Sequence, residues 1–267
     1  MRLLLVADLH YSLPQFDWVL DMADGFDVVV MAGDHLDLAS IVDGRAQSVV
    51  VRKYFSRLRD KTRLVICSGN HDLDAKSESG EKVAKWLGGM QDGVLSDGTS
   101  FVFEETLFTI CPWWDGPIAR EGIGAQLAEA SAQRLERWIW IHHAPPAKSP
   151  TSWGGDRYFG DVELREWIEQ YRPDIVLSGH VHQSPFVKDG SWVDRIGPTW
   201  VFNAGQQFGA PPTHIIIDTE VGEALWFSAA GSEFIRLGSP LERPVPRLEA
   251  LPDWLKDADR TRLPGQA

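Results

Sequence analysis

Thiols are scarce in this sequence: 267 residues contain only Cys67 and Cys111. Each closes a short apolar run, at residues 64–67 and 107–111, the usual setting of a buried free thiol. Two cysteines exclude a disulfide framework and are too few for a thiolate zinc site. Long apolar runs are missing as well. No stretch of about 18 apolar residues occurs, so no membrane span is expected. The opening run at residues 1–7 breaks at Asp8, too short for the core of a secretory signal, and a cytoplasmic protein is the expectation. Positive charge is in deficit, with 26 Lys and Arg against 38 Asp and Glu, a formal net charge of −12. A broad nucleic-acid groove needs a positive field, and no Lys/Arg cluster supplies one. Carboxylates that bind cations would cancel part of that negative excess.

What remains is the composition of a globular α/β protein: 43% hydrophobic and 24% charged residues, enough for a sizeable core and too apolar for disorder. Unalternated apolar runs predict strands covered on both faces at residues 3–7, 28–32, 64–68, 107–111, 138–141, 175–178, 199–203, 214–218 and 224–228. Helical patterns fall at 15–23, 44–59, 81–87, 123–137 and 161–171. Strand–helix alternation in the first 70 residues implies parallel pairing. Turn residues without a clear helix from 183 to 232 imply antiparallel pairing there. A catalytic domain is expected over 1–237. The prolines of 238–267 read as a tail that wraps the domain or frays, with a short helix at 251–257.

The chemistry lies in where Asp, Asn and His fall. Asp8 and His10 follow the first strand, and Asp34, His35 and Asp37 follow the second. Asn70, His71 and Asp72 follow the third. His142 and His143 follow the run at 138–141, and His180 and His182 follow that at 175–178. One Asp after a strand is usually a cap or turn residue, and one His-x-His pair is usually incidental. Five such clusters at five strand ends are different, because ligands of open α/β sheets gather at the carboxyl ends of parallel strands. Oxygen and imidazole donors without thiolate suit Mn, Fe, Co, Ni or Zn.

In order, Asp8-Leu9-His10, Gly33-Asp34-His35-Leu36-Asp37, Gly69-Asn70-His71-Asp72, His142-His143-Ala144-Pro145-Pro146 and Gly179-His180-Val181-His182 resemble the five blocks of the calcineurin-like metallophosphoesterases. The resemblance spans residues 8–182, and Asn203-Ala204-Gly205 is similar to the family's closing strand and turn. It implies two mixed β-sheets packed as a sandwich and flanked by helices, and hydrolysis of a phosphate ester by a hydroxide bridging two metal ions. By resemblance, Asp8, His10 and His182 hold one ion, Asn70, His142 and His180 hold the other, and Asp34 bridges. His142 is preferred to His143 because Pro145 then stands at the family's spacing. His71 would be the catalytic histidine and Asp37 the carboxylate that orients it.

Departures narrow the reading. Asp37 stands where purple acid phosphatases carry Tyr, which argues against an iron–tyrosinate centre. Leu38 replaces the Arg of many phosphoprotein phosphatases. Residues 145–183 are similar to bacterial cyclic-nucleotide phosphodiesterases, which implies a small phosphodiester or nucleotide-like ester as substrate, with a simple phosphomonoester or an unusual ester as the alternative. Trp153, Arg157 and Tyr158 are candidates for its wall, with Arg157 facing a phosphate oxygen. Of the twelve tryptophans, Trp113 and Trp114 could stack a base, but packing between sheets and loops is the plainer role. A nuclease of the same fold would need the missing basic groove. A non-catalytic scaffold would be expected to have lost His71 or several ligands.

Overall fold

The structure, a computed structural model, describes residues 1–88 and 93–256. Two six-stranded sheets form the body. The first has β1 (Arg2–Val6), β2 (Val28–Ala32) and β3 (Arg63–Cys67) in parallel. Beyond β1 it continues antiparallel through β12 (His214–Asp218), β13 (Glu223–Ser228) and β14 (Gly231–Arg236). In the second, β7 (Thr106–Ile110), β8 (Arg137–Ile141), β9 (Ile175–Ser178) and β11 (Thr199–Asn203) run parallel. Its edges, β6 (Ser100–Phe103) and β10 (Val193–Ile196), pair antiparallel. A small hairpin joins β4 (Ala75–Lys76) to β5 (Lys82–Val83).

Strand alternation builds three cores. Leu3, Leu5, Val28, Val30 and Val65 face Phe108, Ile139, Leu177 and Phe202 between the sheets, whereas Leu4, Val6, Val29 and Ile66 point outward, as a two-residue period requires. Helices α1 (Leu13–Met22) and α2 (Gly44–Arg59) cover that outer face through Phe16, Val19, Val51 and Phe55. Helices α3 (Pro117–Ser131) and α4 (Val162–Tyr171) cover the second sheet through Ile123, Leu127, Leu164 and Ile168. The result is the four-layer α/β sandwich anticipated from the sequence. Residues 239–255 lie along it: Val245 joins the inter-sheet core, Leu255 is buried against the α1–α2 side, and α5 (Asp253–Lys256) ends the described chain. Residue 257 of the expected short helix lies outside the described residues.

Two helix expectations are corrected. Residues 81–87 form β5 and a turn instead. The expected 123–137 helix begins earlier, with Pro117 at its first turn, and ends at Ser131. Proline is tolerated there because the first helical N–H groups have no intrahelical partner. Both cysteines are buried and free. Among the described residues no helix is long and apolar enough to cross a membrane.

One buried histidine makes stability depend on pH. His214 sits on β12 against Trp18 and Phe227, and burial lowers its pKa from 6.5 to about 4. Between those values the unfolded chain takes up a proton that the native chain refuses, so stability must fall as pH drops from 6.5 toward 4. Urea melts at pH 7 and pH 5 should show a smaller acid loss in His214→Phe than in the wild type.

Candidate metal centre

Strands β1, β2, β3, β8 and β9 all deliver their carboxyl ends to one rim, and backbone hydrogen bonds lock the loops in register there. Asp8 N donates to Gly33 O (3.1 Å), His10 N to Asp34 O (3.0 Å) and Gly179 N to His143 O (2.8 Å). The loops turn sharply: Asp8, His10, Asp34 and His180 all have positive φ, from 41° to 69°, a conformation unfavourable for residues with a Cβ and found at functional sites. Two glycines make the approach possible. A Cβ on Gly69 would collide with the Asp34 amide and carboxylate, and one on Gly179 with Ala7 and the Asp8 carboxylate.

Two groups of potential ligand atoms result, each within 4.8 Å of one another: Asp8, His10, Asp34 and His182, and Asp34, His143 and His180. Asp34 belongs to both. Its Oδ1 accepts the His71 N–H (2.8 Å). Its Oδ2 lies 3.2 Å from His143 Nε2, 3.8 Å from His10 Nε2 and 4.0 Å from His71 Nε2. Asp8 accepts the His180 N–H and lies 3.2 Å from His182 Nε2, which is itself 3.2 Å from His10 Nε2.

Burial alone would neutralise Asp34, but His143 beside it outweighs that and holds the carboxyl well below its usual range. His143 moves the opposite way: burial lowers its pKa, and Asp34 then raises it above the ordinary imidazole value. Burial lowers His180 to about 4, reinforced by His143, which leaves a neutral imidazole with a lone pair to give.

A family model for calcineurin-like phosphoesterases matches residues 1–184. The chain belongs to that family. Solved structures of similar fold include TT1561 of Thermus thermophilus, with a TM-score of 0.54 and 16% identity, covering 88% of this chain and 98% of that one. Another is purple acid phosphatase PPD1 from yellow lupin seeds, with a TM-score of 0.53 and 14% identity, covering 90% and 52%. No curated protein matches the chain. As a calcineurin-like phosphoesterase the protein is a metal-dependent hydrolase.

The donor set fits metal. His143 donates Nδ1–H to Ala32 O at 2.7 Å, since a carbonyl only accepts, and this turns Nε2 toward the cluster. That Nε2 is buried without a hydrogen-bond partner, as is Asn70 Oδ1. A ring nitrogen fixed from its far side by a carbonyl is the usual support of a metal-binding histidine, and a buried acceptor atom without a hydrogen-bond partner has a lone pair to give to an ion.

Of the two adjacent histidines, the structure places His143, and not the expected His142, within a group of potential ligands. His142 lies outside both groups, with Nδ1–H donating to Ala144 O (2.9 Å) and Nε2, also without a hydrogen-bond partner, 4.0 Å from Asp161 Oδ2. Two adjacent residues leaving an extended strand point to opposite sides, so one can face the ions only if the other does not. Asp37, expected to orient His71, makes other contacts. Its Oδ1 accepts the Ala39 N–H (2.8 Å) and its backbone is clasped by Gln47. It makes no hydrogen bond to His71, whose Nδ1 is buried without a partner. The carboxylate is used in its own turn, as Asp side chains commonly are.

Asp72 is a structural carboxylate of the rim. Fully buried, it accepts the N–H groups of His35 and Leu36 on one oxygen and of Gly69 on the other, tying the Asp34 loop to the Asn70 loop. Burial and the nearby Asp34 raise its pKa to about 7. The clue was its place directly after Asn70-His71. His35, a loop candidate in sequence, is also buried and hydrogen-bonds Cys67 O (3.0 Å) through Nε2. Trp113 packs over His143 and His180, while Trp114 donates Nε1–H to Asp161.

A cavity of about 400 Å³ opens on the cluster, lined by His10, Asp37, His182, Gln206 and Phe208 among others. None of Trp153, Arg157 and Tyr158 lines it. Trp153 donates to Lys188 O and packs on Tyr158, and the Arg157 guanidinium lies over Phe159.

Proposed function

We propose that the protein hydrolyses a small phosphodiester or nucleotide-like phosphate ester at a two-ion centre, with Asp8, His10 and His182 on one side, Asn70, His143 and His180 on the other, and Asp34 between. The observation that carries this reading is the sharing of Asp34 by two groups of inward-facing donors. When bound, two such ions lower the pKa of water and screen the charge of the phosphoryl oxygens. The chain's own residues then hold, orient and protonate. Asp34 turns Oδ2 toward both groups, 3.2 Å from His143 Nε2 and 3.8 Å from His10 Nε2, and Asn70 brings a neutral oxygen that adds no negative charge beside an anionic ester. His71 stands at the open side, its side chain 29% exposed and its Nε2 4.0 Å from Asp34, where it can give a proton to the departing oxygen.

His71→Asn should retain bound metal and lose about a hundredfold in kcat, the ordinary worth of a positioned general acid. Metal content by plasma mass spectrometry, measured beside turnover, checks this. Loss of metal in that variant would make His71 a ligand.

The reaction class is tested with paired chromogenic mono- and diesters, cyclic nucleotides and single-stranded DNA. Each is offered to stripped protein and then with Mn, Fe, Zn, Ni or Co restored. Diester cleavage that needs metal and spares DNA supports the proposal. Progressive DNA degradation would point to a nuclease instead, and inertness with every metal to a scaffold.

A further inference from the structure

Behind the wall of the metal-centre cavity lies a second one of about 270 Å³, and the two share Gln207 and Phe208. Trp18, Pro211, His214 and Phe227 also line it. The surround is aromatic: His214 stacks on Phe227 at 5.0 Å between centroids and 15° between planes, and Trp18 leans on His214 at 4.5 Å.

Two polar atoms in this apolar frame lack partners. His214, 3% exposed, has Nδ1 2.9 Å from Pro212 O. The carbonyl can only accept, so the proton sits on Nδ1 and leaves Nε2 as a bare acceptor, which makes no hydrogen bond. Trp18, 7% exposed, has an Nε1–H with no acceptor. Buried polar groups are nearly always paired, so an unpartnered donor and an unpartnered acceptor on two side chains that line one cavity suit a ligand carrying the complement.

The shared wall is also unusual. Phe208 is 99% exposed, yet its loop is pinned. Buried Gln15 donates through Nε2 to Gln207 O (2.8 Å) and Gly209 O (2.7 Å), on both sides of it. A large aromatic ring presented to water on a fastened loop is placed for stacking.

We propose that this second cavity seats a flat heteroaromatic ring of the substrate, a nucleobase-type group with a donor and an acceptor on its edge. The phosphate ester of the same molecule reaches past Gln207 and Phe208 to the His and Asp cluster. The proposal rests on the phosphoesterase reading above and names the class of group on the ester. The volume admits one ring system.

Binding and turnover separate the two readings. Adenosine and uridine, which carry no phosphate, are titrated calorimetrically into full-length, metal-stripped protein. Saturable binding is expected, weakened about tenfold in Phe208→Ala and in His214→Phe, as loss of a base-stacking or edge contact entails. Phe208 is fully exposed, so its variant keeps the experiment sound if His214→Phe fails to fold. With metal restored, the ratio of KM for a nucleoside methyl phosphodiester to that for dimethyl phosphate should rise in Phe208→Ala. Nucleoside binding without hydrolysis of any ester would leave the seat standing and overturn the phosphoesterase reading. Metal-dependent hydrolysis without nucleoside binding, and with that KM ratio unmoved, would overturn the seat alone.

Discussion

Replacing Asp34 by Asn is expected to lower kcat by at least about a thousandfold and to reduce bound metal sharply, because the proposed bridging position would serve both ions. Asp34 Oδ1 is already taken by the His71 N–H, and Oδ2 is the atom that faces His143, His10 and His71. Asparagine would place an NH₂ group at one of these positions, with no lone pair for a cation and no charge to attract it. The fold should survive. Asp34 has φ of 53°, and asparagine tolerates the left-handed region better than most residues. Its carbonyl can still accept from His71. Metal content, turnover and melting temperature measured together would show loss of the first two with little change in the third. Unchanged metal content would remove Asp34 from the centre.

The second large effect separates neighbours. His143→Ala should lose about a thousandfold in kcat and most of the metal held on its side, whereas His142→Ala should keep metal and stay within about tenfold of wild-type turnover. His143 is fixed by Ala32 O and points Nε2 at Asp34. His142 is buried beside Asp161, which already accepts from Trp114 and caps α4 through the Leu164 N–H. Removing the His142 ring leaves Ala144 O unpaired and a gap in the core, a cost in stability of about 1–3 kcal/mol. Equilibrium unfolding and metal analysis of both variants distinguish the two outcomes; the reverse pattern would restore His142 to the centre.

That pair shows where the sequence could be read and where it could not. The strand ends were legible because continuous apolar runs mark strands covered on both faces, and all nine appear in the sandwich. Strands β6, β10 and β14 left no such run: each is a sheet edge with exposed or half-exposed positions. Motif spacing located the rim but not the rotation of the backbone at the end of β8, which decides which of two adjacent imidazoles faces inward. The distance from Pro145 carries no information about that rotation. The contacts of Asp37 were illegible for a related reason. Spacing puts it near His71 in sequence logic, but a hydrogen bond to Ala39 N closes its own turn first. Asp72 stood in plain view within a motif, and its role emerged only when three backbone N–H groups were seen converging on it.

Anomalous diffraction from crystals grown with manganese tests the centre itself. Two peaks are expected on either side of Asp34, one beside Asp8, His10 and His182 and the other beside Asn70, His143 and His180. No peak at Asp34, or a peak held by His142, would contradict the two-ion centre described here.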